Sequence, residues 1–389
     1  MSAKRSDADQ TIVFFSANYP PHTGGVETYT CNLARTCVAM GYRAVVVCLN
    51  NCSAAPYEID ECGVEVFRLP CHSAFKSRYP LANKTNEYRS LIEKLERVSV
   101  DYVIVNTRFY PLSLFGVRFA RKRSITPIVI EHGSAHLTLN NPIFDTALAG
   151  VEHALSAIIK RSEPRFYAVS EAGSAWLRHF GIESSGELHN AIDASSFESM
   201  RSSRDYRHEE GIGESELLLV SVGRLVPEKG VPALLGAMDA LQDEPIWCLF
   251  AGDGPLRASV EQCGLPHVRA LGNLNKQDVA ALLCQANALC LPSRSEGFAT
   301  SLLEAAACGT PSIVTRVGGV AELIPNETFG TVLENADATS IERALRTAIE
   351  NNSELVSQGR RVRQRVSDLF NWQQTAEDAL RACEDAQRS

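Results

Sequence analysis

The chain has 389 residues, too many for one ordinary hydrophobic core, and this length predicts two domains. Hydrophobic residues make up 45% of it and charged residues 22%, which are ordinary proportions for a soluble globular protein. The net charge of −8 divides unevenly, at +2 over residues 1–190 and −10 over the remainder. The acidic second half argues against nucleic acid as a general partner.

The predicted compartment is the cytoplasm. The first ten residues are polar and do not form a signal peptide, and no apolar run approaches the ~18 residues of a membrane-spanning helix. Twelve scattered cysteines suit a reducing compartment and buried thiols. The group Cys48, Cys52, Cys62 and Cys71 contains no CxxC pair, and the Asp-Ala-Asp sequence at residues 7–9 lies in a polar tail. No metal or other cofactor is therefore expected.

Two basic clusters in the first half of the chain leave open a peripheral contact with anionic lipid heads at the inner membrane face. The alternative for each cluster is a solvated helix face or loop. The clusters are Lys76, Arg78 and Lys84, and Arg118, Arg121, Lys122 and Arg123.

Apolar runs typical of buried strands alternate with helical patterns in two series. The first series comprises residues 11–16, 44–49, 64–69, 102–105, 127–131 and 166–169; the second comprises 217–222, 246–251, 268–271, 288–291, 312–314 and 330–332. Strands that are apolar on both faces occur in parallel sheets covered by helices on both sides. The pattern therefore predicts an α/β fold with two Rossmann-like domains. The seam falls around residues 189–214, where the polar segment 195–207 lacks periodicity.

A glycine pair follows the first predicted strand. Gly24 and Gly25 precede a predicted helix over residues 26–40, and without a Cβ they allow a ligand to approach the backbone. The loop matches neither GxGxxG nor the P-loop pattern, and a tight turn is the alternative. His132 follows a later strand at its carboxyl end, where ligands gather in doubly wound sheets. It is a candidate partner for a substrate hydroxyl, or else a packed or exposed histidine.

Two cations follow the first strand of the second series. Arg224 and Lys229 precede a helix with Pro232 in its first turn, although the helix dipole disfavours cations near a helix N-terminus. An anion between these cations and the backbone amides would explain the pattern, because Arg grips a diphosphate bidentately and Lys adds a point charge. The alternative is a surface salt bridge to Glu228.

The segment 292–323 adds two carboxylates. A buried strand, a glycine-containing loop and a helix beginning near Ser301 form an anion site. Glu296 and Glu304 lie eight residues apart, which is ~12 Å of helix. They are placed to touch opposite ends of an elongated ligand such as a nucleotide sugar. Alternatively, Ser301 and Glu304 form a capping box, in which Glu304 only satisfies backbone donors.

These stretches resemble, in the same order, the motifs of the retaining glycosyltransferases of family 4, which have the two-domain GT-B architecture. The resemblance covers nearly the whole chain and rests on seven segments. They are the Pro-x-x-Gly-Gly loop at residues 21–25, His132 with Gly133, the hinge at 190–193, the Gly-Arg and Lys-Gly pairs within 223–230, the turn at 251–255, the segment 268–274, and the E-x7-E pair. In the family, the segment that 268–274 resembles holds the nucleotide base. At the hinge Ala191 replaces the family's usual glycine, and a positive φ there would strain the backbone.

The resemblance implies two Rossmann-like domains facing an interdomain cleft. Residues 1–190 would form the acceptor-side domain, residues 191–365 the nucleotide-sugar-binding domain, and residues 366–389 a helix crossing back to the first domain. It implies transfer of a hexose-type sugar from a UDP- or GDP-sugar, without metal and with retention, to a glycan or lipid-linked acceptor. The setting would be cell-envelope, capsular or exopolysaccharide synthesis. No carboxylate is evidently placed as a nucleophile, which favours a front-face route.

The implied site residues form two overlapping sets, completed by domain closure. The catalytic set is His132, Arg224, Lys229 and Glu296. The donor-binding set is Gly24, Gly25, Arg224, Lys229, Leu271, Asn273, Glu296, Gly297, Phe298, Ala299, Thr300 and Glu304. Two alternatives stay open: a nucleotide-sugar epimerase or hydrolase of the same fold, and a non-catalytic nucleotide-sugar-binding protein.

Overall fold

A computed structural model describes residues 10–22, 24–74, 79–136 and 142–388, and for residues 73, 74 and 142–144 it describes the main chain only. Lys76, Arg78 and the Asp-Ala-Asp sequence at residues 7–9 lie outside the described residues. The chain forms two compact units. The first comprises Met1–Asn190 and Trp372–Ser389, and the second comprises Ala191–Asn371.

The described strands divide between the two units at Asn190. They are β1 (Thr11–Phe15), β2 (Arg43–Asn50), β3 (Tyr57–Ile59), β4 (Glu65–Ala74), β5 (Tyr79–Ala82), β6 (Tyr102–Asn106), β7 (Ile128–Glu131), β8 (Arg165–Ala168), β9 (Leu217–Val222), β10 (Ile246–Ala251), β11 (Val268–Gly272), β12 (Ala288–Leu291), β13 (Ser312–Thr315) and β14 (Thr331–Leu333).

The helices cover the sheets. They are α1 (Gly25–Ala39), α2 (Asn86–Glu96), α3 (Pro111–Arg121), α4 (Pro142–Lys160), α5 (Glu171–Arg178), α6 (Ala194–Ser199), α7 (Tyr206–Glu210), α8 (Val231–Ala240), α9 (Arg257–Glu261), α10 (Lys276–Gln285), α11 (Thr300–Ala307), α12 (Val320–Leu323), α13 (Ala338–Glu350), α14 (Asn352–Leu369) and α15 (Trp372–Arg388). Of these described helices, α1 to α5 and α15 belong to the first unit, where α15 packs against α1, β6 and β7.

The sheet of the first unit has the strand order β3-β4-β2-β1-β6-β7-β8, with β5 paired to β4. The strands from β4 to β8 along this order are parallel. Their side chains, among them Val13, Val47 and Val105, pack with Phe15 and Phe119 into a buried cluster. The strand order reverses between β1 and β6, and such a reversal is where open α/β sheets bind ligands.

The sheet of the second unit has the strand order β11-β10-β9-β12-β13-β14, and all its pairs are parallel. Apolar residues of both sheet faces are buried, as the continuous apolar runs predicted. The order reverses between β9 and β12. The loops that follow these two strands therefore begin side by side at the carboxyl edge of the sheet.

All twelve predicted strands form, and the predicted α/β fold is confirmed. The prediction did not include β3 and β5, which both pair antiparallel with β4. These strands are short and partly exposed, with Ile59 at 60% exposure, so they lack the continuous apolar run that marks a buried strand.

The backbone at the hinge does not strain Ala191. Among the described residues, Ser53, Thr107, Ser124 and Glu163 are the non-glycine residues with positive φ, so Ala191 needs no left-handed conformation. The next turn is closed by the Asp193 carboxylate, which accepts a hydrogen bond from the amide of Ser196 at the start of α6. Alanine is therefore compatible with this backbone.

Two arginines of the second basic cluster, at the end of α3, donate hydrogen bonds to backbone carbonyl groups. Arg121 donates to the carbonyl oxygens of Ser162 at 2.6 Å and Glu163 at 2.7 Å, and Arg123 donates to the Glu96 carbonyl at 3.2 Å. These bonds favour the structural alternative over lipid binding for both arginines. None of the described helices is long and apolar enough to span a membrane.

Candidate active site

The loops after β9 and β12 touch at the strand-order reversal of the second unit. Gly230 has φ 74°, and a Cβ at this position would lie 2.2 Å from the carbonyl oxygen of Pro292. Only glycine tolerates both the conformation and the contact. The amide of Arg294 then donates to the carbonyl of Glu228 at 2.8 Å. The two loops are thus held together by their backbones.

Lys229 and Glu296, which come from separate motifs, form an ion pair across these loops. Their side chains are 22% and 13% exposed, so the pair is partly shielded from water. An ammonium group has three donors, and Lys229 can hold Glu296 while it donates to a second acceptor. The structure therefore brings together one cation and one carboxylate of the predicted site.

Arg224 is exposed just after β9. Its guanidinium makes no hydrogen bond or ion pair with any residue that the structure describes, so the surface salt bridge to Glu228 is absent there. Within the same described ranges, the Glu228 carboxylate has a buried oxygen without a hydrogen-bond partner. An exposed guanidinium is ready to bind an incoming anion without first breaking a pair.

Helix α11 begins at Thr300, and its N-cap residue, Ala299, has no side chain that could accept a hydrogen bond. The alternative of a capping box does not hold, because Ser301 lies inside the helix and Glu304 lies beyond its first turn. The first-turn amides of α11 therefore lack a side-chain cap. Together with the helix dipole they favour an anion at this position.

Glu304 lies on α11 and is half-buried. Burial raises its pKa to about 7, and the positive charge of Lys276 acts in the opposite direction. A carboxyl group with this pKa exchanges its proton near neutrality, so its charge depends on what binds beside it.

The Phe298 ring points into the second unit. It is 7% exposed and packs edge-on against Phe370, with ring centroids 5.5 Å apart. A Cβ on Gly319 would lie 2.1 Å from this ring, so glycine makes room for it. In the predicted donor-binding segment 297–300, the side chain of Phe298 therefore packs inside the second unit, and the role of this segment in donor binding stays a prediction.

Leu271 and Asn273 lie at the carboxyl end of β11, two strands away from β9. Leu271 is half-buried and Asn273 is exposed. The amide of Gly252 donates to the carbonyl of Gly272 at 2.8 Å, which joins this end of β11 to the end of β10. Both residues therefore stand apart from the Lys229–Glu296 pair along the sheet edge, and their role in donor binding stays a prediction.

His132 and the glycine pair belong to the first unit. The Nε2 atom of His132 lies 2.8 Å from the Asn106 Oδ1 at the end of β6, and its ring packs edge-on against Tyr29. Burial lowers the pKa of His132 to about 3, so its imidazole is neutral at physiological pH. It is placed to hydrogen-bond and carries no positive charge.

The glycine pair precedes α1. A Cβ on Gly24 would lie 2.3 Å from the Glu27 Oε2, because this buried carboxylate folds back over the first turn of the helix. A Cβ on Gly25 would meet no atom within 4 Å. Packing against Glu27 therefore accounts for a glycine at position 24, whereas the space beside Gly25 is open. The roles of these residues in donor binding stay predictions.

Two family models match the chain, one in each half. The model of Glycosyltransferase Family 4 matches residues 23–196, and that of Glycosyl transferases group 1 matches residues 202–365. The chain is a family 4-like glycosyltransferase. It is 25% identical over 385 residues to one of the subunits of phosphatidylinositol N-acetylglucosaminyltransferase from Arabidopsis thaliana, an alignment that covers 94% of this chain and 79% of that relative.

Solved structures place the glycosyltransferase in the GT-B fold. Sucrose-phosphate synthase from Thermosynechococcus elongatus matches it with a TM-score of 0.77 and 19% identity, over 97% of this chain and 98% of that one. Anabaena HepE, in complex with UDP-glucose, matches with a TM-score of 0.70 and 18% identity, over 96% and 99%. These likenesses confirm two Rossmann-like domains.

The glycosyltransferase contains a buried charge network that sequence reasoning missed. Arg108, fully buried after β6, donates to Glu131 at 2.6 Å and to Glu152 at 2.7 Å, and its guanidinium lies over the Phe180 ring. Burial raises the pKa of Glu131, and Arg108 opposes this. The available signal in the sequence was an arginine shortly after an apolar strand. Its two carboxylate partners lie far from it along the chain, so no sequence spacing connects them with it.

Proposed function

We propose that this glycosyltransferase moves a hexose-type sugar from a nucleoside diphosphate sugar to a glycan or lipid-linked acceptor, with retention of the anomeric configuration. The observation that carries the proposal is the Lys229–Glu296 pair beside the uncapped start of α11, at the strand-order reversal of the second unit. It offers positive charge for a diphosphate and a carboxylate for sugar hydroxyls at one point.

The proposed reaction breaks the bond between the anomeric carbon and the diphosphate oxygen. Negative charge then builds on the leaving diphosphate while the sugar becomes oxocarbenium-like. Arg224, Lys229 and the first-turn amides of α11 would stabilise this charge. Lys229 is held by Glu296 and the amides belong to a helix, and donors that are fixed before the reaction stabilise developing charge most effectively. In this scheme Glu296 accepts hydrogen bonds from the donor sugar, and Glu304 accepts them from the ribose.

Retention is proposed through a front-face route. The acceptor oxygen bonds to the anomeric carbon on the side from which the diphosphate leaves, and the acceptor proton passes to a diphosphate oxygen. This route needs neither a carboxylate nucleophile nor a positively charged acid. A neutral His132 fits it as a hydrogen-bonding residue, because its lowered pKa excludes an imidazolium at neutral pH.

Two similar proteins support the proposed substrates by their names. HepE is described in complex with UDP-glucose, which supports a nucleoside diphosphate sugar as donor. The Arabidopsis relative is a subunit of phosphatidylinositol N-acetylglucosaminyltransferase, and the lipid in this name supports a lipid-linked acceptor. An acceptor of this kind fits cell-envelope, capsular or exopolysaccharide synthesis at a membrane face. The donor panel below identifies the nucleotide base and the sugar.

The proposal is tested with a panel of UDP- and GDP-linked glucose, mannose and N-acetylglucosamine, read as a thermal shift. At a ligand concentration of ~100 Kd a bound donor stabilises the fold by about 2.7 kcal/mol. We expect one donor to raise the Tm of the wild type and of R343A, whose arginine lies on α13, but not of an R224A/K229A double variant. Stabilisation by no donor would contradict the proposal.

The products of the selected donor separate the alternatives. Incubation without acceptor is followed by NMR of the anomeric proton. Free sugar formed at the full rate of donor consumption, or an epimerised donor, would indicate a hydrolase or epimerase. With an acceptor, a product of the same anomeric configuration as the donor supports retaining transfer, and an inverted product would refute retention.

Donor affinity is expected to fall as the pH drops below 7. The pKa of Glu304 is raised to about 7 by burial, and binding to ribose hydroxyls requires its ionised form. Below pH 7 the group must first lose a proton, so affinity falls by up to about tenfold per pH unit. Calorimetry between about pH 5.5 and 8 measures this with the intact nucleotide sugar, whose diphosphate does not titrate in that range.

Glu304→Gln is the matched control for this pH dependence. The variant keeps the shape and one acceptor oxygen but cannot titrate, so its affinity should change little over the same range. Equal slopes for wild type and variant would show that Glu304 does not exchange its proton with the bound donor.

A further inference from the structure

Three histidines of the first unit converge at one point. His136 lies after β7, His153 lies in α4, and His179 caps the end of α5. One ring nitrogen of each lies within 4.8 Å of a ring nitrogen of the other two. The ring centroids are 5.1 to 5.6 Å apart. These residues take no part in the proposed transfer reaction.

We propose that His136, His153 and His179 bind one first-row transition metal ion, of which Zn²⁺ is the representative. Neutral imidazoles are preferred ligands of such ions, and three of them with one open position form a common zinc site. Tetrahedral Zn–N bonds of about 2.1 Å place ligand nitrogens about 3.4 Å apart. His153 is exposed, so rotation of its side chain is the adjustment that would bring the nitrogens to that spacing.

A buried carboxylate orients one of the three rings. The Nδ1 of His136 lies 2.6 Å from the Glu152 Oε2, and Glu152 is 2% exposed. The other oxygen of Glu152 accepts from Arg108 at 2.7 Å, so this carboxylate cannot swing away. A carboxylate that holds Nδ1 fixes the tautomer and leaves Nε2 to coordinate, which is the arrangement that supports metal-bound histidines.

An aromatic ring holds the second histidine. Trp176 stacks on His179 with centroids 4.8 Å apart and an interplanar angle of 5°, and its edge faces His136. Two of the three ligands are therefore ordered before any ion arrives, which lowers the conformational cost of binding. Stacking accounts for the contact between Trp176 and His179, and a metal ion would account for the convergence of all three imidazoles beside a buried carboxylate.

A metal ion in this position would join α4, α5 and the segment after β7. All three elements carry ligands, and the three histidines lie at positions 136, 153 and 179 of the chain. The ion would stabilise the folded first unit by binding it and not the unfolded chain. The expectation that transfer needs no metal is unaffected, because this site lies in the unit that does not contain the Lys229–Glu296 pair.

The test uses the untagged full-length chain, freed of metal with a chelator, and Zn²⁺ and Co²⁺ as probes. We expect one Zn²⁺ per chain by calorimetry, a higher Tm with Zn²⁺, and Co²⁺ absorption bands typical of tetrahedral coordination. His153→Ala and His179→Ala should each weaken binding at least tenfold, as the loss of a supporting residue already does in other sites.

Matched controls make the outcome decisive. His208→Ala removes an exposed histidine of the second unit and should leave binding unchanged. Because His153 is exposed on a helix, H153A should keep the apo Tm, which separates ligand loss from misfolding. Failure of the wild type to bind Zn²⁺, or binding that H153A and H179A retain, would overturn the proposal.

Discussion

Alanine in place of Arg224 or Lys229 is expected to lower kcat/KM by about 10²- to 10³-fold, which is the usual cost of removing one donor to a developing charge. Each cation should contribute more as the diphosphate leaves than while the donor is merely bound. The loss of kcat/KM should therefore be larger than the loss of donor affinity. Initial rates of nucleoside diphosphate release, with the donor selected by the thermal-shift panel, measure it.

The controls for this prediction separate charge from structure. Lys229→Arg keeps the charge and should recover part of the activity. Arg343→Ala removes an exposed arginine that pairs with Glu334 at 3.2 Å on another face of the same unit, and its rate should equal that of the wild type. Wild-type rates in R224A or K229A would show that the diphosphate binds elsewhere.

Replacing Arg108 by methionine is expected to destabilise the protein by about 3–5 kcal/mol. Its side chain is fully buried, and it compensates two carboxylates, Glu131 and Glu152, that are 1% and 3% exposed. Without it, both carboxylates must take up protons or repel each other in a medium of low polarity. Urea unfolding of the apo protein at neutral pH, followed separately by probes in each unit, measures the change.

An exposed ion pair of the same unit provides the comparison. Lys122 and Glu96 lie 3.5 Å apart with side chains 73% and 50% exposed, so Lys122→Ala should cost less than about 1 kcal/mol. Adding Glu131→Gln and Glu152→Gln to Arg108→Met removes the orphaned charges and should restore part of the stability. A loss below about 1 kcal/mol for R108M would refute the role of this network.

The sequence by itself determined the strands and most of the candidate residues. A strand buried on both faces needs a continuous apolar run, and this local signal located all twelve predicted strands. Parallel strands end at a common edge, so residues that follow them, such as Arg224, Lys229, Glu296 and His132, are natural site candidates. The short strand β3 was not predicted, because its pairing with β4 holds it in place and its own sequence lacks a continuous apolar run.

Only the tertiary structure decided which of these residues meet. The Lys229–Glu296 pair depends on β9 lying beside β12, and no local pattern encodes that order. The raised pKa of Glu304 comes from burial by surrounding chain, and the start of α11 at Thr300 removed the capping box that the local sequence allowed. The buried arginine network and the three histidines likewise join distant segments. Such contacts depend on how the helices and strands pack, because residues that meet in space can lie at any separation along the chain.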